Sequence, residues 1–149
     1  MVELRSYKEV MMAAAPSKPA LTVCLLDDDA SALKATSRLL RSAGWQVEAF
    51  LDPVAFLRHV QANRSRVVVI DIRMPIMNGL EVQSRLRELS PSTQVIVLTS
   101  KDDPSVRSQA MDGGASAFFL KPVRDEEFLA GIESAASEDE QSRNGNHQG

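Results

Sequence analysis

Four stretches of this chain hold apolar residues in short unbroken runs, and between them apolar positions recur every three or four residues. The runs are Leu21-Thr22-Val23-Cys24-Leu25-Leu26, Val67-Val68-Val69-Ile70, Val95-Ile96-Val97-Leu98 and Ala117-Phe118-Phe119-Leu120. Parallel strands buried on both faces have this continuous apolar character. Residues 45–50 instead alternate apolar and polar, which predicts a fifth strand nearer an edge.

The intervening stretches predict helices. After the first run, Leu33, Thr36, Leu39, Leu40 and Ala43 fall at helical spacing, and Gly44 marks the stop. Asp52-Pro53 is a helix start: a carboxylate caps the free N–H groups and proline occupies the first helical position. Phe56, Leu57 and Val60 form its apolar stripe, with His59 turned to solvent beside it. Val82, Leu86 and Leu89 mark the next helix, ended by Pro91. Val106, Ala110 and Met111 mark a weaker helix that starts near Pro104 and closes at Gly113-Gly114. Phe128, Leu129, Ile132, Ala135 and Ala136 mark the last helix. Five successive βα units imply an α/β fold, a doubly wound parallel sheet with helices on both faces and right-handed crossovers. The folded domain is expected over residues 21–137. Residues 1–20 read as a flexible N-terminal extension with room for a short helix over residues 7–14, because Pro16 and Pro19 break anything longer. Residues 138–149 have no apolar side chain to bury and read as a disordered tail or linker stub, with His147 inside it.

Composition narrows the class. A 149-residue chain with 44% apolar and 25% charged residues can bury one real core. Its net charge of -3 gives no electrostatic case for direct nucleic acid binding over a broad face. Cys24 is the one cysteine and reads as a small buried hydrophobe in a reducing compartment. No run approaches the ~20 apolar residues of a membrane span, and the N-terminus lacks a secretory apolar core, so a cytoplasmic location with no membrane role is expected.

The chemistry sits where the runs end. Asp27-Asp28-Asp29 follows the first run, Asp71 the second, Thr99-Ser100 the third and Lys121-Pro122 the fourth. Ligands of open α/β sheets bind beyond the carboxyl ends of the strands, so these side chains should converge. Taken alone, the first acids read as a solvated helix start, with Asp29 as cap, and Thr99 as a β-branched strand residue. Asp71 is harder to explain that way. At the edge of a buried strand its charge needs compensation, and Asp27 and Asp28 add repulsion unless a cation lies among them. Mg²⁺ (or Mn²⁺) suits such hard oxygen donors, and the Lys121 ammonium can reach Asp71. A carboxylate so placed can act as a nucleophile toward a phosphoryl donor, forming an acyl phosphate, while Thr99 offers a hydrogen bond.

These residues resemble the receiver domain of two-component response regulators, the CheY-like family. The resemblance covers residues 20–137 and rests on Leu-Leu-Asp-Asp-Asp at 25–29, Val-Ile-Asp-Ile-Arg-Met-Pro-Ile-Met-Asn-Gly at 69–79, Val-Leu-Thr-Ser at 97–100 and Phe-Leu-Lys-Pro-Val at 119–123. It implies a flavodoxin-like (βα)5 sandwich with strand order 2-1-3-4-5. It implies that Asp71 accepts a phosphoryl group from a phosphohistidine on a sensor histidine kinase or phosphotransfer protein. It further implies that Asp28, Asp71 and the backbone carbonyl of Arg73 bind the metal directly, Asp27 through water, and that Thr99 and Lys121 contact the phosphoryl oxygens.

Phe118 takes the family's aromatic switch position; without a hydroxyl it works by packing alone, and it reads equally as a plain core aromatic. The face made by the fourth helix, fifth strand and fifth helix is expected to change on phosphorylation. Arg73 and Lys101, each two residues past a pocket residue, either tune the phosphoryl lifetime or are ordinary exposed cations. A homodimer is compatible with the resemblance. The output is a downstream protein contacted by a stand-alone receiver, or an effector domain lost beyond residue 136. The rival reading is a Mg-dependent phosphohydrolase with an aspartyl nucleophile, opposed by Arg73 standing where its proton-transfer acid belongs. A signalling domain rather than a turnover enzyme is the expectation. A receiver that only binds partners is opposed by the full acidic set, and no glycine-rich nucleotide motif is present.

Overall fold

The computed structural model describes residues 21–74 and 77–148, with side chains through residue 137. The expectations for residues 1–20 therefore lie outside the described residues. In chain order the elements are β1 (Thr22–Leu26), α1 (Ala30–Ser42), β2 (Gln46–Phe50), α2 (Pro53–Asn63), β3 (Val67–Ile70), α3 (Gly79–Leu89), β4 (Gln94–Thr99), α4 (Pro104–Asp112), β5 (Ala117–Leu120) and α5 (Asp125–Gln148). The strands form one parallel sheet in the order β2-β1-β3-β4-β5. Register is fixed by pairs such as Leu26 with Ile70 and Ile70 with Val97, so the strands end nearly level.

Alternation along each strand splits the core in two. Cys24, Leu26, Val68, Ile70, Val95 and Val97 pack under α2, α3 and α4 with Phe56, Val82 and Ala110. Val23, Leu25, Val67, Val69, Ile96 and Leu98 pack under α1 and α5 with Leu40, Phe128 and Ile132. β1, β3 and β4 are buried on both faces, which is why their sequences are unbroken apolar runs.

Four helices start on a side-chain cap. Asp29, Asp52, Asn78 and Asp103 each accept from N–H groups of the first turn. All four caps lie in loops that follow a strand, so these helix N-termini surround the carboxyl ends of the sheet. Gly44, just past α1, has φ of 98° and takes the left-handed turn that ends the helix.

Two features differ from the sequence pattern. β5 is an edge strand, and all four of its residues are only partly buried, not sealed like the other apolar runs. α5 continues through residues 138–148, so the helix passes the point where a disordered tail is predicted. Glu138, Asp139, Glu140 and Gln141 include good helix formers, and extending a helix from a packed first half costs far less than nucleating one.

Candidate functional site

The level strand ends bring the predicted residues together. The Asp71 N–H donates to the Leu26 carbonyl (3.0 Å) and the Asp27 N–H to the Phe50 carbonyl (3.2 Å), holding the ends of β1, β2 and β3 side by side. Asp27 and Asp71 are buried at 8% exposure each, and Asp28 is exposed. One carboxylate oxygen from each of the three lies within 4.8 Å of the others. The Asp27 Oδ1 accepts from the Asp29 N–H (2.9 Å), so the first carboxylate is aimed by the same turn that caps α1.

β4 and β5 supply the other half. Thr99 is fully buried, and its hydroxyl faces the Asp71 carboxylate closely enough to lower its pKa. Thr99 Oγ1 also accepts from the Lys101 N–H at 3.2 Å. The Lys121 N–H donates to the Thr99 carbonyl (2.8 Å), which fixes where its side chain starts. Its Nζ then lies 2.9 Å from Asp27 Oδ2 and 4.0 Å from Asp71 Oδ2. The ammonium thus bonds Asp27 and also makes, at the longer distance, the ion pair with Asp71 that the sequence pattern predicts. β5 and β1 are separated by β4 and β3, so this contact is visible only once strand order is known. The Lys121-Pro122 bond is cis.

The electrostatics are those of an under-compensated pocket. Burial raises the Asp71 pKa above the ordinary carboxylate value, and the neighbouring Asp27 charge raises it further. The Thr99 hydroxyl, the Lys121 charge and the Arg73 N–H, 3.4 Å from Asp71 Oδ1, oppose that shift without cancelling it. Two buried carboxylates and a third at the rim face the Lys121 ammonium, and the remaining negative charge suits a divalent cation with hard oxygen ligands.

The flanking candidates fall around this centre. Arg73, exposed, and Lys101, half-buried, line one cleft with Asp28, Ile72, Met74, Asn78, Leu80 and Val106. Phe118 is partly buried against the cluster under α4, and the Arg107 guanidinium lies 5.6 Å from its ring centroid. Gly79 has a role that its place in the Met-x-Gly segment only hints at. A Cβ there would stand 2.5 Å from the Asp71 carbonyl oxygen and 2.7 Å from Ile72 Cα. Only glycine lets α3 start this close to the acidic residue's own backbone, where its N–H donates to the Ile72 carbonyl (2.9 Å). Gln83 and Arg107, which also touch the elements around the pocket, give no signal in the sequence.

This fold and this pocket are those of a two-component signalling module, and the chain matches the response regulator receiver domain family over residues 23–133; it belongs to that family. Response regulator protein TodT of Pseudomonas putida is 39% identical over 119 residues, covering 80% of this chain and 52% of that protein. Response regulator protein TmoT of Ectopseudomonas mendocina is 37% identical over 113 residues, covering 76% of this chain and 51% of that protein. The chain thus spans about half the length of the curated relatives it matches. Among solved structures, FixJ-N is 32% identical with a TM-score of 0.74, covering 78% of this chain and 94% of that one. Among the described residues no helix is long and apolar enough to cross a membrane.

Proposed function

We propose that this receiver domain of two-component signalling accepts a phosphoryl group on Asp71 from a phosphohistidine of a sensor histidine kinase or a phosphotransfer protein, in a Mg²⁺-dependent reaction. The observation that carries this reading is the grouping of three carboxylates within 4.8 Å around a buried Asp71 that also faces the Thr99 hydroxyl and the Lys121 ammonium. Asp28, Asp71 and the Arg73 carbonyl would hold the metal, with Asp27 acting through water. When bound, Mg²⁺ supplies positive charge beside the phosphoryl oxygens.

An Asp71 carboxylate oxygen attacks phosphorus as the P–N bond to the donor imidazole breaks. The electron pair stays on the imidazole nitrogen, and the product is an aspartyl phosphate. Lys121 neutralises charge on the phosphoryl oxygens, and the Thr99 hydroxyl turns from the carboxylate to the new anion. Moving Thr99 draws on Lys101 through their shared hydrogen bond, and so reaches the start of α4. The face made by α4, β5 and α5 then changes, with Phe118 responding by packing, and controls a downstream protein or an effector domain. A cytoplasmic location and a homodimer through either the first or the last helices fit the same reading.

Incubating the chain with an acyl phosphate and Mg²⁺ tests it. A mass gain of one phosphoryl group, absent without metal and absent in Asp71→Asn, is expected. Sustained turnover of small phosphate esters would overturn it in favour of an aspartyl phosphohydrolase.

A further inference from the structure

We propose that Gln83 is a positioning residue that pins the C-terminal end of α4, so that a change at Asp71 swings this helix from its other end. The inference rests on the phosphoacceptor reading of Asp71 and concerns how that event is converted into movement.

The two ends of α4 are held very differently. Along the helix only Ala110 is fully buried; Val106 is half-buried and Met111 is 42% exposed. The N-terminal end follows the pocket. Thr99, whose hydroxyl faces Asp71, takes the Lys101 N–H, and two residues later Asp103 caps the Ser105 and Val106 N–H groups at 2.9 and 3.4 Å. One turn into the helix, Arg107 covers the half-buried Phe118 ring, a contact that is weak where solvent reaches it.

The C-terminal end is tied twice at one atom. The Ala110 carbonyl accepts from Gln83 Nε2 (2.8 Å) and from the Ala115 N–H (3.0 Å), and the Ser116 N–H continues the anchorage to the Val95 carbonyl (2.7 Å). Gln83 is 3% exposed, and a buried amide donor is costly to leave unpaired. Gly113 lies against the same side chain: a Cβ there would stand 3.1 Å from Gln83 Nε2. Gln83 itself belongs to α3, whose start is seated on the Asp71–Ile72 backbone through Gly79. The pin is therefore fixed to the same frame that carries Asp71. A displacement of the loop after β4 then acts against a fixed far end, and the shift decreases along α4 from residue 104 to residue 112.

Amide chemical shifts of the whole chain, recorded with Mg²⁺ alone and with Mg²⁺ plus beryllium fluoride as a phosphoryl mimic, test this. Large changes are expected at residues 99–107 and small ones at residues 110–116. Gln83→Leu keeps the bulk and leaves the Ala110 carbonyl its bond from Ala115. In that variant the changes at 110–116 grow by about twofold or more, with Mg²⁺ affinity unaltered. Gln83→Met serves in its place should the leucine variant not fold. A response in the unsubstituted chain as large at 110–116 as at 99–107, or a variant profile identical to the unsubstituted one, overturns the pinning alone. Silence at both Asp71 and Thr99 refutes the phosphoacceptor reading, and the pinning with it.

Discussion

The two ends of the sheet both bury polar side chains, and they treat them in opposite ways. At the amino ends of β3 and β4, Thr93 donates to the Ser65 carbonyl (2.6 Å) and pairs with the Ser90 hydroxyl (2.6 Å). The Ser65 hydroxyl in turn meets the Cys24 thiol at 3.1 Å. All these groups are neutral. Burial raises the Cys24 pKa, and the Glu48 charge adds to it against the Ser65 hydrogen bond, so the thiol stays protonated. The network closes on itself. At the carboxyl ends the buried groups are charged, and three carboxylates gather beside the Lys121 ammonium. A closed neutral network contributes stability and asks for nothing more, whereas an open charged one needs a partner from solution. Burial of polar atoms alone does not locate a functional site; burial with unbalanced charge does.

The largest effect belongs to the charge itself. Asp71→Asn should abolish phosphoryl acceptance completely by intact mass, and should also raise the thermal midpoint of the metal-free protein by a few degrees. The sign follows from the raised native pKa of Asp71. Folded chain holds this proton more tightly than unfolded chain, so stability falls as pH rises from the ordinary carboxylate value to the raised native one. Above that the loss is constant. The asparagine variant removes this step from a stability-versus-pH curve, and an unchanged curve would mean that the pocket is already balanced. Gly79→Ala comes next. Its Cβ would press on the Asp71 and Ile72 backbone, so a loss of about 1–3 kcal/mol in urea unfolding is expected, together with slower phosphorylation.

Much of this contrast is legible in the chain, and the unread part has one cause. Buried strands are apolar runs, so the residues that end them name the rim of the sheet: Asp27, Asp71, Thr99 and Lys121 all follow directly from that rule. Asp29 and Asp52 are legible as caps because capping is local. What fails is whatever depends on neighbours far along the chain. Lys121 bonds Asp27 although β3 and β4 lie between β1 and β5, an arrangement no spacing reveals. Gln83 sits beside Val82 at the margin of the apolar stripe of α3, and its partner Ala110 is 27 residues away. Thr93, Ser65 and Ser90 look like ordinary loop polarity until β3 and β4 are paired. The exposure of β5 is missed for the same reason, since its run reads like that of a central strand while its place is an edge.

Thr93→Val tests the neutral end. It strands the Ser65 carbonyl and the Ser90 hydroxyl, and should cost about 1–3 kcal/mol of stability. Phosphoryl acceptance and Mg²⁺ titration should stay as they are, measured on the folded fraction. A lost phosphorylation signal there would break the contrast, because the two ends would then be coupled through the strands.

The smallest effect lies at the mouth of the charged end. Arg73 and Lys101 border the cleft that holds Asp28, Arg73 exposed and Lys101 half-buried. Each can offer a cation to an aspartyl phosphate and stand in the path of an attacking water. Ion pairs at such exposure contribute little, so replacing both residues with methionine should shorten the phosphoryl lifetime by about two- to fivefold, the equivalent of ~0.4–1 kcal/mol. High salt should shrink the difference between the two proteins, because exposed charges are screened and the partly buried Lys121 pair less so. A decay rate indifferent to both substitutions and to salt would confine the working charge to the pocket centre, and would narrow the contrast between the ends to Asp27, Asp71 and Lys121 against Ser65, Ser90 and Thr93.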